Sequence, residues 1–383
     1  MSLEIPTKEL TDLALQALLL LAVLLGVLVP LVAWAEHRRA AMVNWRGRSP
    51  GGLAGFVQPL ADLLKLLAKG PARSPGSPGR GHAWVPILLA ATSLLAFAAV
   101  PWAGRYTLGD TSVSPILADV RGGVLFVFSL AALGGLATVW AGVASGGVAL
   151  LGSFRSAARA LSGELALFFS LLPMLLIYGS LRLSDMVDAQ DASFTVGGVW
   201  EFISGSDPGA GGLRLPAWGI LLNPPALFLV LTAATLRMGL PPFDAEGADR
   251  ELEGGTRGAY SGSALALFML AARLQLLLVA ALVALIFLGG WTIPWLPQET
   301  FVAWMTSFIG SGLANAICLL LHLAVFVVKM LAVVVVQLVV RSALPRLGHD
   351  RAMDLCWKFV MPAAALDLVA TAAWLHRLGG ASA

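Results

Sequence analysis

The acidic segment at residues 241–255, PPFDAEGADRELEGG, contains the residue types best suited to chemistry in this chain. Asp244, Asp249 and Glu251 lie within it, between two long apolar segments. Carboxylates are costly near a lipid bilayer, so acids held between membrane-crossing segments mark a functional site by default. Clustered carboxylates also favour one another's neutral form, which a proton or ion relay requires. The alternative is a solvated acidic loop that binds a basic partner.

Two charged residues interrupt apolar sequence elsewhere. Glu164 lies in LSGELALFF, and Lys329 lies in LAVFVVKMLAVVVV. A charge inside a membrane-crossing segment must be paired, be neutral or face a polar cavity. For Glu164 the alternative to a relay is an ion pair with Arg155 or Arg159. For Lys329 the sequence favours a functional or structural ion pair.

A third candidate, Glu36, stands where the first apolar segment ends, close to Arg38. One explanation is an interfacial cluster of charges whose side chains extend to water. The other is a carboxylate that belongs to a charge relay or to the mouth of a cavity. The same connection contains GLAGFVQPLADLLKLLAKG, which places leucines on one helical face and Asp62 and Lys65 on the other. This pattern predicts an interfacial amphipathic helix with Pro59 in its first turn.

The composition excludes a soluble globular domain. Of the 383 residues, 58% are hydrophobic and 12% are charged, against about 45–50% and about 25% in soluble domains. The two cysteines have no metal-site spacing, so a redox centre is expected on a partner protein. The net charge of +3 is small and gives no indication of nucleic-acid binding. The N-terminus lacks the basic start of a cleaved signal peptide.

We predict an all-α polytopic membrane protein that forms a single integral membrane domain over residues 1–383. A spanning helix needs about 20 mostly apolar residues. The candidates are 11–34, 83–102, 123–149, 160–180, 217–237, 263–289, 312–340 and 356–375. Lysine and arginine concentrate in the odd-numbered connections, which places those connections and the amphipathic helix in the cytoplasm. Both termini are then periplasmic.

Several segments of the chain resemble one family in the same order and at the same spacing. They are AEHRRAAMVNWRG, VQPLADLLKLLAKG, LLGSFRSAARALSGEL, LRLSDMVDAQ, PPFDAEGADRELEGG with AYSG, and VRSALPRLGHDRAMDLCWKFVMP. On these segments the chain resembles, from about Trp34 to Leu375, the H subunit of proton-pumping NADH:quinone oxidoreductase, complex I. That subunit is the counterpart of the mitochondrially encoded subunit 1.

The resemblance implies a membrane subunit of a respiratory translocase in the bacterial inner membrane, with no chemistry of its own. Such a subunit joins the peripheral and membrane arms, lines a tunnel for the substrate quinone and couples quinone reduction to ion translocation. It binds no cofactor alone. Its partners would be quinone-module and iron–sulfur subunits, small membrane subunits and antiporter-like subunits, with electrons arriving from a neighbouring iron–sulfur cluster.

The resemblance also assigns residues to three roles, which we carry over as expectations. The quinone tunnel and its loops would use Glu36, Arg38, Arg46, Asp62, Asp244, Asp249 and Glu251. A proton or charge relay would use Glu164, Asp185 and Lys329. Docking of the peripheral arm would use Arg341, Arg346 and Asp350.

The chain departs from the family pattern at several acidic positions. The acid expected two helical turns before PFD is replaced by Arg237 or a neighbour of it, and another falls on Ala272, which Arg273 follows. Glutamates expected in the signature loop and before YSG fall on Gly247 and Ala259. These replacements point to a divergent member of the family.

Two other functions are compatible with parts of this sequence. The homologous membrane subunit of a group 4 [NiFe] hydrogenase or formate hydrogenlyase would tolerate the missing carboxylates, because it reduces no quinone. A stand-alone secondary transporter would show internal repeats and helices broken in the membrane, and the sequence indicates neither.

Overall fold

The computed structural model describes residues 7–44, 53–70, 81–108, 111–191, 193–195, 214–243, 258–296 and 298–381. The acidic segment after Phe243 lies outside these ranges. Arg46, Asp244, Asp249 and Glu251 therefore stay sequence predictions without a structural account.

Helices make up most of the described chain. They are α1 Thr7–Val23, α2 Val29–Asn44, α3 Leu53–Ala68, α4 Gly81–Leu95, α5 Gly123–Ser145, α6 Val148–Tyr178, α7 Leu183–Gln190, α8 Gly219–Leu222, α9 Pro224–Met238, α10 Gly262–Phe287, α11 Gln298–Ile309, α12 Ser311–Ala343, α13 His349–Leu355 and α14 Met361–Ala381. Short π-helical turns join α1 to α2 and α13 to α14. Two antiparallel hairpins complete the described part, β1 Tyr106–Leu108 with β2 Thr111–Val113, and β3 Ser193–Thr195 with β4 Arg214–Pro216.

The prediction of an all-α polytopic membrane protein is confirmed. Within the described ranges six helical stretches are long and apolar enough to cross a membrane. They are Ala14–Glu36, Gly123–Ser145, Ala149–Tyr178, Gly262–Phe287, Ser311–Ala343 and His349–Arg377. The two remaining predicted spans form shorter apolar helices, Trp84–Ala99 and Pro224–Met238.

Helix α10 is the centre of the bundle. Every residue from Leu276 to Phe287 is buried, and α10 contacts α2, α3, α4, α7, α9 and α12. A helix that is apolar on all sides is stable only when protein surrounds it, which explains why this span carries the most continuous apolar sequence. The ends of α10 therefore define two ends of the molecule. The first end contains Glu36, and the second end contains Asp185.

The fourth span begins earlier than we predicted. Helix α6 starts at Val148, so Arg155 and Arg159 are helical residues and not part of a connection. Gly146 and Gly147 separate α5 from α6 with φ values of 71° and 57°, a backbone conformation that residues with a Cβ rarely adopt. The turn is thus fixed by two glycines, and the basic residues that follow it lie along a helix.

The fifth span is broken, which the sequence did not indicate to us. Helix α8 ends at Leu222 and α9 begins at Pro224, with Asn223 between them at φ −143° and ψ 79°. The Oδ1 atom of Asn223 accepts a hydrogen bond from the amide of Ala226 at 3.0 Å. An asparagine N-cap followed by proline is a common helix start, because proline lacks the amide donor that the first turn leaves unpaired.

The predicted amphipathic helix is present as α3, with one correction. The helix begins at Leu53, so Pro59 lies inside it and not in its first turn. Pro59, Leu63 and Leu66 face the protein, whereas Leu64 and Leu67 remain exposed. The apolar surface is therefore divided between packing against the bundle and an outward face suited to a membrane interface.

Candidate functional site

Glu36 lies at the centre of a cluster of charges at the first end. Its Oε1 atom accepts a hydrogen bond from Nη1 of Arg341 at 3.0 Å, and its Oε2 atom lies 3.5 Å from Nε of Arg273. The three side chains come from helices α2, α12 and α10 and are 25%, 23% and 19% exposed. One carboxylate thus connects three helices of the bundle. We assigned Arg341 to docking of a peripheral arm, but the structure places it beside Glu36.

A cavity of about 600 Å³ opens beside this cluster. Its charged lining consists of Glu36, Asp62, Lys65, Lys69, Arg273 and Arg341. The rest of the lining is mostly apolar and includes Ala33, Leu63, Leu66 and Met269. We call it the Glu36 cavity. The Nε atoms of Arg273 and Arg341 are buried there and have no hydrogen-bond partner among the described residues.

The end of helix α3 is held against the start of α10. The amide of Ser263 donates to the carbonyl of Lys69 at 3.0 Å. A Cβ at Gly262 would lie 2.4 Å from the carbonyl oxygen of Gly70, so only glycine permits this approach. This junction fixes the amphipathic helix as a wall of the Glu36 cavity and places its lysines opposite the two arginines.

Glu164 pairs with Arg237, whereas the alternative to a relay that we considered was an ion pair with Arg155 or Arg159. The Nε atom of Arg237 lies 3.1 Å from Oε2 of Glu164, and both side chains are nearly buried, at 8% and 13% exposure. A Cβ at Gly163 would lie 2.6 Å from Cα of Arg237, so glycine allows α6 and α9 to approach closely. Arg237, which stands at or near a position where the family pattern has an acid, is therefore the partner of Glu164, an acid that this chain retains.

The second oxygen of Glu164 has a different environment. Its Oε1 atom is buried and has no hydrogen-bond partner among the described residues. It borders a cavity of about 60 Å³ that is also lined by Thr138, Ser156 and Gln275. A space of this size has room for about two water molecules. The carboxylate is thus paired on one side and faces polar side chains on the other.

Arg159, which we considered as a partner of Glu164, instead binds the C-terminal end of helix α9. Its Nη1 atom donates to the carbonyl of Leu236 at 2.8 Å, and its guanidinium lies where a Cβ of Gly239 would stand. Cations near the last carbonyls of a helix are stabilising. Arg159 therefore completes the C-terminal end of α9 and leaves Glu164 to Arg237.

Lys329 binds carbonyl oxygens in place of the ion pair that we predicted. Its Nζ atom donates to the carbonyls of Leu288 and Thr292, each at 2.7 Å, and lies 4.4 Å from the centre of the Trp218 ring. Leu288 is the C-cap residue of α10, where the helix dipole favours a cation. The lysine thus connects α12 to the end of the central helix through neutral groups and an aromatic face.

The second end contains another charged cavity, of about 720 Å³. Asp119 lies 3.5 Å from Arg105 and 3.3 Å from Arg182, and Arg182 also lies 3.9 Å from Asp185. The predicted relay residue Asp185 is in the first turn of α7, where Ser180 donates to it at 2.9 Å. We call this the Asp119 cavity. Partial burial and the neighbouring Asp185 carboxylate raise the pKa of Asp188 in its lining.

Those of the remaining predicted residues that the structure describes lie at the first end. Arg38 belongs to helix α2, and exposed Asp62 lines the Glu36 cavity. Arg346 lies between α12 and α13, Asp350 lies in the first turn of α13, and both are exposed. Sequence reasoning missed the cluster of Arg105, Asp119 and Arg182, whose members are far apart in sequence. It also missed Asp367 in the last span, although the rule that selected Glu164 applies equally to it.

The Glu36 cavity has the size and the lining of a site for a small molecule with polar oxygens and an apolar part. Its volume falls in the range of ligand pockets, about 300–1,000 Å³. Arginine and lysine donors are available for carbonyl oxygens, and the apolar wall suits a hydrophobic ring or chain. Cations at this position would stabilise negative charge that develops on such oxygens when electrons arrive.

Comparison with known proteins identifies the relatives of this chain. Residues 15–372 match the family described as NADH dehydrogenase. The chain is 31% identical over 363 residues to the second H subunit of NADH-quinone oxidoreductase from Syntrophobacter fumaroxidans, covering 94% of this chain and 95% of that protein. It is 34% identical over 368 residues to the second H subunit of the same enzyme from Cereibacter sphaeroides, covering 94% and 96%. A third relative, the H subunit from Thermomicrobium roseum, is 31% identical over 366 residues, with the same coverage of 94% and 96%.

Proposed function

Because the chain belongs to the NADH dehydrogenase family, we propose that it is the quinone-site membrane subunit of a complex I-type oxidoreductase. The Glu36 cavity is the observation that carries this proposal. It combines two partly buried arginines, two lysines and an apolar wall next to an amphipathic helix at one end of a membrane bundle. The names of the relatives, and their near-complete coverage of the chain, support the same function.

In this proposal the quinone ring lies in the Glu36 cavity. Arg273 and Arg341 lie closest to the ring carbonyls, and their guanidinium groups supply positive charge and hydrogen-bond donors to the ring. Lys65 and Lys69 add positive charge from helix α3, while Leu63 and Met269 contact the apolar part of the substrate. The electrons come from an iron–sulfur centre on a partner subunit, and this chain contributes binding and electrostatic stabilisation of the reduced ring.

Orientation follows from the distribution of charge. The Glu36 cavity and the basic connections lie at the first end, which we place in the cytoplasm of a bacterial inner membrane. Phe243, the last described residue before the acidic segment, is buried at this same end, and we place Asp244, Asp249 and Glu251 along the tunnel. Exposed Arg346 and Asp350 would contact the peripheral arm, and Arg38 and Arg46 would line the tunnel approach.

Coupling to the membrane arm would pass through charges held between helices. Glu164 with Arg237 lies between α6 and α9, and Lys329 lies between α12 and the end of α10. Asp185 lies at the far end in the Asp119 cavity. A change in charge at the Glu36 cavity would act on the contacts of Glu164 and Lys329, because each of these two joins separate helices.

Purification of the native complex through a tag on this chain tests the proposal. We expect quinone-module, iron–sulfur and antiporter-like subunits in mass spectrometry of the mild-detergent preparation, together with NADH:quinone activity. That activity should disappear when Arg341 is replaced by glutamate, while reduction of a water-soluble acceptor by the peripheral arm continues. Co-purification of the large subunit of a nickel–iron hydrogenase, without quinone reduction, would contradict the proposal and favour the hydrogenase branch of the family.

A further inference from the structure

Asp367 is a carboxylate inside the last membrane-crossing segment, His349–Arg377. The Nδ2 atom of Asn223 donates to its two carboxyl oxygens at 3.2 Å and 3.1 Å. The same Nδ2 atom lies 3.3 Å from Oγ1 of Thr371, one helical turn after Asp367. Asn223 and Thr371 are each only 6% exposed. With partly buried Asp367 they form a polar contact between helix α14 and the start of α9.

This contact lies at the break in the fifth span. Helix α9 has 15 residues, which corresponds to about 22 Å, whereas the hydrocarbon core of a bilayer is about 30 Å thick. Its N-terminus at Asn223 therefore lies below the bilayer surface when its other end is at the opposite interface. Interrupted helices of this kind bind ions in membrane transporters, because the break exposes backbone and side-chain polar groups within the membrane.

The partners of Asp367 differ from those of the other spanning charges. Glu36 contacts two arginines, and Glu164 contacts one. Within the described part of the chain, Asp367 contacts only an amide and a hydroxyl neighbour. A carboxylate without a cation is costly inside a bilayer, and a bound proton removes that cost. Its neighbours Leu366 and Val369 are exposed, so the site is close to the lipid-facing surface.

We infer that Asp367, Asn223 and Thr371 form a proton-binding site at the break in the fifth span. On protonation an O–H bond forms at one carboxyl oxygen, and the amide of Asn223 continues to donate to the other. On release this O–H bond breaks and the proton leaves as H⁺ to an acceptor. Both carboxylate oxygens of Asp367 then accept hydrogen bonds from the amide of Asn223 again. A contribution of this site to ion translocation rests on the proposed function, whereas proton binding itself does not.

Carbodiimide labelling of the native complex tests the inference. The hydrophobic reagent dicyclohexylcarbodiimide reacts with protonated carboxyl groups in membranes, and mass spectrometry locates the modified residue. We expect modification at Asp367 and none at Glu164, whose charge is paired with Arg237. Asp354, which is exposed and lies 2.8 Å from Lys358 near the start of the same helical stretch, is the matched carboxylate in an ion pair. An unmodified Asp367 would overturn the inference. Protection of Asp367 from the carbodiimide by sodium ions, but not by choline, would overturn it as well, since a metal cation would then occupy the site.

A second measurement links the site to translocation. Asp367→Asn keeps the shape of the side chain and one acceptor oxygen for Asn223 but cannot bind a proton. We expect fewer protons translocated per quinone reduced, with quinone reduction itself changed by less than about twofold. Asp354→Asn is the control and should leave both values unchanged. An unchanged proton ratio in Asp367→Asn would overturn the role in translocation. If deletion of the chain does not affect quinone reduction, the proposed function fails, and the labelling result still decides whether the proton site exists.

Discussion

Two cavities at opposite ends of the bundle are each built around one carboxylate that contacts two arginines. Glu36 contacts Arg273 and Arg341, and Asp119 contacts Arg105 and Arg182. The charges around these centres are opposite. The Glu36 cavity has four cations and two acids in its lining, whereas the Asp119 cavity has two cations and four acids. The same bridging arrangement is therefore placed in a cationic cavity at one end and in an anionic cavity at the other.

The difference separates what holds the helices from what attracts a ligand. A carboxylate between two arginines connects three helices at the first end and joins connecting segments at the second, so this arrangement alone does not mark a binding site. The surplus charge of each cavity lining indicates what kind of ligand the cavity attracts. Lysines on the amphipathic helix favour electron-rich oxygens at the first end, and aspartates favour cations at the second end. The cationic end also agrees with the cytoplasmic orientation that the distribution of lysine and arginine predicts.

The largest effect is expected at the Glu164–Arg237 pair, which lies outside both cavities. Arg237→Ala leaves a nearly buried carboxylate without its cation, which typically costs about 3–5 kcal/mol. The free cysteines Cys318 and Cys356 are buried, so the rate at which their thiols react reports opening of the bundle. We expect this rate to rise strongly in Arg237→Ala and to fall again when Glu164→Gln is added. Lys358→Ala, in the exposed pair with Asp354, is the control and should change stability by less than about 1 kcal/mol.

The next effect compares the two bridging carboxylates directly. Glu36→Ala leaves four cations with one acid, so we expect a loss of about 1.5–3 kcal/mol from broken charge-assisted hydrogen bonds. Asp119→Ala leaves its two arginines beside three aspartates, and Arg182 already lies 3.9 Å from Asp185. Its loss should stay below about 1 kcal/mol, because the arginines find other acids. Equal losses of stability in Glu36→Ala and Asp119→Ala, measured by thiol reactivity, would show that the surplus charge of the cavity does not affect stability.

The smallest effect concerns pH at the anionic cavity. The pKa of Asp188 in the folded chain is raised above its ordinary value of 3.8, so folding favours the protonated form. The contribution of Asp188 to stability is therefore greatest at a pH below 3.8 and decreases as pH rises from there through the raised pKa. Asp188→Asn should remove this dependence and stabilise the chain at neutral pH by less than about 1 kcal/mol, since solvent screens an exposed carboxylate. Thermal unfolding at a series of pH values measures the difference, and a steeper pH dependence in the variant would contradict it.

The membrane helices could be predicted because each depends on a continuous apolar stretch. Their contacts could not, since local sequence does not reveal which helices approach each other. For Glu164 the nearest basic residues in sequence are Arg155 and Arg159, yet Gly163 brings α9 close enough for Arg237 to become the partner. Lys329 similarly pairs with carbonyl groups that appear only where the central helix ends.

The candidate site was predicted in part for the same reason. The acids and lysines of the Glu36 cavity stand in recognisable segments, and Glu36, Asp62 and Arg341 were selected from sequence. Arg273 was noted only as a departure from the family pattern, and the structure makes it a partner of Glu36. The break at Asn223 escaped prediction because the apolar stretch around it is uninterrupted, and only the following prolines signal a new helix start.

Photoaffinity labelling with a quinone that carries a light-activated group tests the central claim most directly. The measurement uses the purified complex under turnover conditions, with mass spectrometry of the labelled peptides of this chain. We predict labels on the lining of the Glu36 cavity, at Leu63 and Leu66 of α3 and at Met269 of α10, and competition by unlabelled quinone. Labels confined to the Asp119 cavity, or none on this chain while the complex reduces quinone, would contradict the assignment of the cationic cavity as the quinone site.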